Sequence, residues 1–184
     1  MLNLNTYQKV AITDKIYDDS VAIPYVVLGI AGEVTELYEK IIEQMKTGYS
    51  YDMTLLSKEV GDVMWYLAAY ADETDQQLED LEALVEFVPC DSLQNILDEL
   101  ILYSGSISEY TKKALRDDFE LIQVGKFNEH KLSRVNVCVG GLIMTLKRIS
   151  CYYSLGLDKI INDNIEKLRS RAERGTLKGS GDVR

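Results

Sequence analysis

Two stretches of sequence decide the fold: GEVTELYEK, from Gly32 to Lys40, and EVGDVMWYLAAYA, from Glu59 to Ala71. Each combines good helix formers with apolar residues three and four positions apart, which is the period of an amphipathic α-helix. The same pattern continues through most of the 184 residues, which contain only two prolines, Pro24 and Pro89. Because proline is the strongest helix breaker, its scarcity predicts an all-α protein.

The periodicity and the turn signals predict one helical bundle that spans residues 1–184 as a single domain. A turn around Gly48 is expected to separate the second helix from the third, and Asp91 or Ser92 is expected to cap the fifth. Residues 175–184 carry three glycines and are expected to be irregular. The predicted helices cover residues 6–17, 25–45, 53–72, 76–88, 92–116, 129–153 and 158–174.

An internal repeat is suggested by similar stretches in the two halves of the chain. It predicts two pseudo-repeated helical hairpins, with a metal-site half at 1–88 and a degenerate half at 89–184 that keeps one acid, Glu109, opposite Glu36. The alternative, of equal weight, is that two amphipathic helices align by chance. The aligned stretches are residues 30–40 with 103–113 and residues 56–63 with 132–139.

Composition limits the function classes. The formal net charge of -10 disfavours a general nucleic-acid-binding surface, although divalent ions can still join carboxylates to a polyphosphate. Three cysteines without CxxC spacing argue against a zinc site or a disulfide framework and favour a reducing compartment. No apolar signal core is seen at the start, and no uninterrupted apolar run approaches about 20 residues. The sequence therefore predicts a cytoplasmic protein that does not span a membrane.

Four acids on the two quoted stretches form pairs three residues apart, Glu33 with Glu36 and Glu59 with Asp62. Residues with this spacing lie on one face of a helix, one turn apart. Two antiparallel helices joined near Gly48 would bring the four carboxylates together, and such oxygen ligands suit Mg²⁺ or Mn²⁺. Since the chain has 30 acids, pairs of this kind are also common on solvated faces.

In-helix glycines accompany both acidic pairs. Gly29 and Gly32 share a face with Glu33 and Glu36, and Gly61 lies between Glu59 and Asp62. A glycine inside a helix costs about 1 kcal/mol relative to alanine. The close approach of a ligand or of a neighbouring helix is the reason that we expect for keeping all three.

The quoted stretches resemble the ExxE–ExxD signature of the MazG-like, all-α nucleoside-triphosphate pyrophosphohydrolases. Residues 164–184, NIEKLRSRAERGTLKGSGDVR, resemble the C-terminal motif of small bacterial and phage members, and residues 5–8 resemble their first helix. The likeness covers about residues 5–72 and 155–184. Residues 73–154 depart from it, because many compact members lack such a segment.

This resemblance implies hydrolysis of a (d)NTP to a (d)NMP and pyrophosphate by a water that attacks the α-phosphorus. It implies Mg²⁺, with Mn²⁺ as an alternative, bound to Glu33, Glu36, Glu59 and Asp62, where it would lower the pKa of a bound water. Glu36 or Glu59 is the expected general base, and the sequence does not choose between them. A homodimer or higher homo-oligomer is also implied.

Several side chains are candidates for binding the nucleotide. On the last predicted helix, Asn164, Lys167 and Arg171 recur at helical spacing, and the resemblance assigns phosphate contacts to their N-x-x-K part. The alternative is a basic last turn that suits the helix dipole. Lys40 is a further cation, with an i,i+4 salt bridge to Glu36 as the equal alternative. The groups available for the base are Tyr7, Gln8 and Trp65.

Two other readings remain open. One is a related enzyme with a narrow substrate, such as dUTP or a single purine dNTP. The other is a catalytically silent helical interaction module, against which the four intact acids argue. A covalent mechanism is not favoured, since no Ser/His/Asp or Cys/His arrangement is evident and the single histidine, His130, is expected on the surface.

Overall fold

The computed structural model describes residues 3–47, 52–89, 92–118, 121 and 125–176. All the regular structure in these residues is helical, which confirms the all-α prediction. The predicted turn at Gly48, the possible cap Asp91 and most of the glycine-rich tail lie outside the described residues. The helices are α1 (Leu4–Ala11), α2 (Ala22–Thr47), α3 (Met53–Glu73), α4 (Leu78–Glu82), α5 (Leu93–Asp117), α6 (Glu129–Tyr152) and α7 (Leu157–Glu173), with a 3-10 turn at Asp19–Val21 before α2.

Short polar side chains begin four of the helices. The side chains of Asn3, Asp52, Ser92 and Asn128 each accept a hydrogen bond from a backbone N–H in the first turn of the helix that follows. Such caps satisfy donors that have no partner inside the helix. Ser92 is thus the observed cap of α5.

The first helix is shorter than predicted. It ends at Ala11 rather than near Tyr17. The indole N–H of Trp65 donates to the Ala11 carbonyl oxygen at 2.8 Å, so a side chain of α3 takes an acceptor at the end of α1. Tyr17 instead packs its ring against Tyr25, with ring centroids 4.8 Å apart.

The fourth helix is also shorter than predicted, at Leu78–Glu82 instead of residues 76–88. Its inner side chains, Leu78 and Leu81, are buried, whereas Leu84, Phe87 and Val88 are exposed. The apolar pattern therefore continues in sequence beyond the point where there is a core to cover, and packing decides where a short helix ends.

Packing of long helices builds the bundle. Helix α2 packs along α3, α5 packs along α6, and α2 also contacts α5. Helix α7 lies across α3 and touches α1. One continuous apolar core runs through both halves of the chain. Any bundle with this helix order contains such hairpins, so the pseudo-repeat stays a prediction.

Residues 19–47, which include α2, are long and apolar enough for a membrane span by length and composition alone, with a mean hydropathy of 1.4. Core helices of bundles commonly have the same property. In this bundle Val26, Ile30 and Leu37 of that segment are fully buried in the apolar core.

Candidate functional site

Three of the four predicted carboxylates converge. One oxygen each from Glu33 of α2 and from Glu59 and Asp62 of α3 lies within 4.8 Å of the others. Oxygens on opposite sides of one Mg²⁺ are about 4.2 Å apart, since each bond is about 2.1 Å long. The limit of 4.8 Å is somewhat wider than this, so the three carboxylates could hold one small divalent cation after a small side-chain movement. We call Glu33, Glu59 and Asp62 the acid cluster.

The acid cluster is a costly arrangement without a cation. Glu59 is only 6% exposed, and Glu33 and Asp62 are partly buried. Burial, followed by the charges of Asp62, Glu36 and Glu59, raises the pKa of Glu33 from 4.5 to about 7, against an opposing effect of Lys167. Like charges held together in this way favour uptake of a proton or of a metal ion.

The last helix completes the site. The Lys167 ammonium forms an ion pair with Oδ1 of Asp62, and both side chains are largely buried. One turn earlier, Asn164 donates from Nδ2 to the same oxygen at 3.2 Å. Both groups contact the same oxygen, so α7 restricts where the Oδ1 atom of Asp62 lies within the cluster.

A buried chain of hydrogen bonds supports Asn164. The hydroxyl of Tyr7 on α1 donates to Asn164 Oδ1 at 2.8 Å. Burial and the nearby charge of Asp62 raise the Tyr7 pKa well above its usual range, so the hydroxyl keeps its proton. Tyr7 was a candidate for contacting the base of the nucleotide. Because it is fully buried and bonded to Asn164, it supports the acid cluster instead.

The three in-helix glycines near the acid cluster differ in what surrounds them. A Cβ on Gly29 would lie 2.0 Å from the Tyr66 ring, and one on Gly61 would lie 3.2 Å from the Asn164 side chain. Both glycines thus permit the close approach of a neighbouring helix, as predicted. At Gly32 no described atom lies within 4 Å of an added Cβ, so a neighbouring helix does not explain this glycine, and the close approach of a ligand stays a prediction.

Glu36 and Lys40 lie beside the cluster rather than in it. Glu36 is exposed and is not one of the three converging acids, although its charge helps to raise the pKa of Glu33. No ion pair joins Lys40 to Glu36 or to another carboxylate of the described residues, so the salt-bridge alternative is not supported. Arg171, one turn beyond Lys167, is partly buried on α7.

The Gln8 side chain joins helices. Its Nε2 donates to the Gln76 carbonyl oxygen and its Oε1 accepts from the Leu78 N–H, both at 2.9 Å. Gln8 is only 4% exposed, and both ends of its amide hold the start of α4 against α1. Base recognition by Gln8 would require breaking these bonds, and we do not assign it that role.

Aromatic side chains border the acid cluster on one side. Tyr66 lies against Trp65, with ring centroids 4.7 Å apart, and its hydroxyl is 3.5 Å from that of Tyr25. Burial is the main cause that raises the Tyr66 pKa, and the charges of Glu33 and Asp62 contribute. The Tyr66 ring is therefore close enough to the acids to feel their charge.

A cleft borders the acid cluster on the other side, between the first half of α3 and α7. Sequence reasoning had named Lys167 and Asn164, which line it, but had missed Lys58 and Lys159. Lysines at these positions have no distinctive spacing in the sequence. Only the contact of α7 with α3 brings them to one cleft.

Comparisons with known proteins give one limited likeness. No protein-family model matches the chain, and no solved structure matches it. The chain is similar to the Gene 37 protein of Mycobacterium phage L5, with 26% identity over 98 residues, which are 52% of this chain and 82% of the phage protein. This identity is too low to place the chain in a family, and the name of the phage protein states no activity.

Proposed function

We propose that the chain is a Mg²⁺-dependent nucleoside-triphosphate pyrophosphohydrolase of the MazG-like type, with Mn²⁺ as an alternative ion. The observation that carries the proposal is the convergence of Glu33, Glu59 and Asp62 within 4.8 Å on two packed helices. The phrase-length resemblance of both helices and of α7 to that superfamily supports it. The proposed reaction is (d)NTP and water to (d)NMP and pyrophosphate.

In this proposal the acid cluster holds the divalent ion, which supplies charge neutralisation for phosphate oxygens and makes a water a better nucleophile. Asn164 and Lys167 hold the Asp62 carboxylate in place through their contacts with Oδ1. Lys167 also lines the neighbouring cleft, so its side chain is a candidate phosphate contact. Arg171 and Lys40 remain candidate phosphate contacts on α7 and α2.

Glu36 is the general base that we favour over Glu59. A carboxylate bound to a cation is a weaker base, because the cation competes for its lone pairs. Glu59 is a buried member of the acid cluster, whereas Glu36 is exposed and lies one turn from Glu33. Glu36 therefore has an available carboxylate near the place where the water would lie.

One experiment tests both the reaction and these roles. The protein is incubated with Mg²⁺ and a panel of canonical and modified NTPs and dNTPs, including dUTP, and pyrophosphate release is followed. Glu59→Gln should lose both turnover and Mn²⁺ binding, whereas Glu36→Gln should lose turnover and keep Mn²⁺ binding. The exposed acid Glu39 on the same helix supplies the control Glu39→Gln, which should retain both.

Two other outcomes would contradict the proposal, and one would narrow it. Release of orthophosphate without pyrophosphate would mean a different phosphohydrolase. Turnover of dUTP or of one purine dNTP alone would narrow it to a specific pyrophosphatase. No turnover of any nucleotide in the panel, together with tight binding to another protein, would favour the helical interaction module.

The proposal includes a homodimer or higher homo-oligomer. Light scattering should show this oligomer, and a monomer would contradict it.

A further inference from the structure

The cleft between α3 and α7 has a volume of about 330 Å³ and is partly open to solvent. Three lysines, one on α3 and two on α7, line it together with the single acid Asp163. Apolar side chains, including those of Leu155 and Ile160, form the rest of the wall. The lysines are Lys58, Lys159 and Lys167.

The cleft adjoins the acid cluster. Lys167 belongs to both, since its ammonium pairs with Asp62 and its side chain lines the cleft. Gly61 and Asn164 also line the cleft, next to the carboxylates of Glu59 and Asp62. The absence of a side chain on Gly61 lets Asn164 of α7 pack 3.2 Å from that position, so the Asn164 side chain fills the space there. Lys167, which contacts Asp62 and lines the cleft, is therefore the direct link between the two places.

The charges in the cleft suit a polyanion. Lys159 forms an ion pair with Asp163, but both side chains are well exposed, so water screens the pair and it exchanges readily. Lys58 is partly buried and has no ion pair in the part of the chain that the structure describes. Three lysines and one aspartate line the cleft, in a protein whose net charge is -10, but Lys167 is already paired with Asp62 of the acid cluster. Lys58 is therefore the lysine of the cleft whose charge no described carboxylate neutralises, and it can attract an anion.

We propose that this cleft binds the β- and γ-phosphates of the triphosphate, the part that leaves as pyrophosphate, with Lys58 as a phosphate contact. The inference rests on the proposed function, which puts the α-phosphorus at the acid cluster. It also fixes the direction of the substrate along α3. From Lys58 to Tyr66 a helix rises about 12 Å, which leaves the Tyr66 side of the acids for the nucleoside.

The test compares Lys58→Ala with Lys113→Ala, an exposed lysine on α5 whose loss changes the net charge equally. Binding of inorganic tripolyphosphate to the metal-free protein is measured by calorimetry at low ionic strength. Loss of one charge-assisted contact should weaken binding roughly tenfold in Lys58→Ala and leave Lys113→Ala within about twofold. Lys58→Arg should recover most of the affinity, and equal urea midpoints should show that both alanine variants are folded.

A second measurement uses nucleotides. Lys58→Ala should raise the KM for an NTP and leave the affinity for the corresponding NMP unchanged, because the NMP lacks the two outer phosphates. Equal losses for NMP and NTP would overturn the proposal, since the cleft would then hold the nucleoside. If the protein turns over NTPs normally and Lys58→Ala changes neither measurement, the assignment of the cleft to the outer phosphates is wrong and the proposed function stands. If tripolyphosphate binding depends on Lys58 but no nucleotide is turned over, the cleft is a polyphosphate site and the proposed function is wrong.

Discussion

Lys167 on the last helix forms an ion pair with Asp62 on α3, although 105 residues separate them in sequence. The two side chains are only 18% and 22% exposed, so the pair is not an ordinary surface contact. The ion pair joins the last helix of the bundle to the acid cluster. The candidate metal ligands and the candidate phosphate contacts thereby become one site.

The buried hydrogen bond between Tyr7 and Asn164 predicts a stability effect. Asn164→Ala removes the acceptor of the Tyr7 hydroxyl and one partner of Asp62. Leaving a buried donor without a partner costs about 1–3 kcal/mol, which should lower the urea midpoint at unchanged slope. Asn162→Ala, on the exposed side of the same helix, should stay within about 0.5 kcal/mol of the parent. Equal effects of the two variants would contradict this role of Asn164.

Two glycines on α2 predict opposite effects of the same substitution. Gly29→Ala would put a methyl group between 2.0 and 2.5 Å from three atoms of the Tyr66 ring, which is held by Trp65 and Tyr25. Such overpacking should cost about 1–3 kcal/mol. Gly32→Ala meets nothing and should stabilise the protein by about 0.5–1 kcal/mol, the helix-propensity difference. Chemical denaturation of both variants measures the sign of each change in the free energy of unfolding. If Gly29→Ala is as stable as the parent, the Tyr66 ring does not press on Gly29 as closely as described.

The acid cluster predicts stabilisation by metal. At a Mn²⁺ or Mg²⁺ concentration 100 times the dissociation constant, binding to the folded state alone adds about 2.7 kcal/mol, seen as a rise in Tm. Asp62→Asn should remove most of that rise. Glu109→Gln should retain it, because Glu109 pairs with Lys112 and Lys113 on α5. A rise that survives in Asp62→Asn would place the metal elsewhere.

The raised pKa of Glu33 predicts how the stability of the metal-free protein depends on pH. The folded state holds the Glu33 proton up to about pH 7, whereas the carboxyl ordinarily loses it near 4.5. The resulting stabilisation is complete below pH 4.5 and is lost as the pH rises through 7. Glu33→Gln lacks this dependence, so the stability of the parent relative to this variant should fall between about pH 5 and pH 8 in EDTA.

The measurement is urea unfolding of both proteins at several pH values, with Glu39→Gln as an exposed acid on the same helix. The difference between the parent and Glu39→Gln should vary little with pH. Addition of Mg²⁺ should reduce the destabilisation of the parent at high pH, because the cation then replaces the proton. A constant difference between the parent and Glu33→Gln would show that Glu33 is well solvated.

Much of the fold could be predicted from periodicity. The bounds of α2, α3, α5, α6 and α7 were predicted within three residues at each end, because long apolar faces and polar caps are local signals. The ends of α1 and α4 were not, since a distant indole and the limit of the core decide them. His130 is exposed, as predicted.

The site was predictable in part. Helical spacing placed Glu59 with Asp62 and Asn164 with Lys167, and both pairs do share a helix face at the cluster. Spacing also grouped Glu36 with Glu33, but only Glu33 reaches the other acids. It could not show that Gln8 is used between helices.

The sequence by itself determined which side chains share a helix face, because the rise and turn of an α-helix depend on neighbouring residues alone. Only the tertiary structure decided that Glu33, Glu59 and Asp62 converge, that Lys167 joins them and that Lys58 faces the same cleft. These relationships depend on how α2, α3 and α7 cross. That crossing is set by burial of apolar side chains far apart in the chain, which no local pattern specifies.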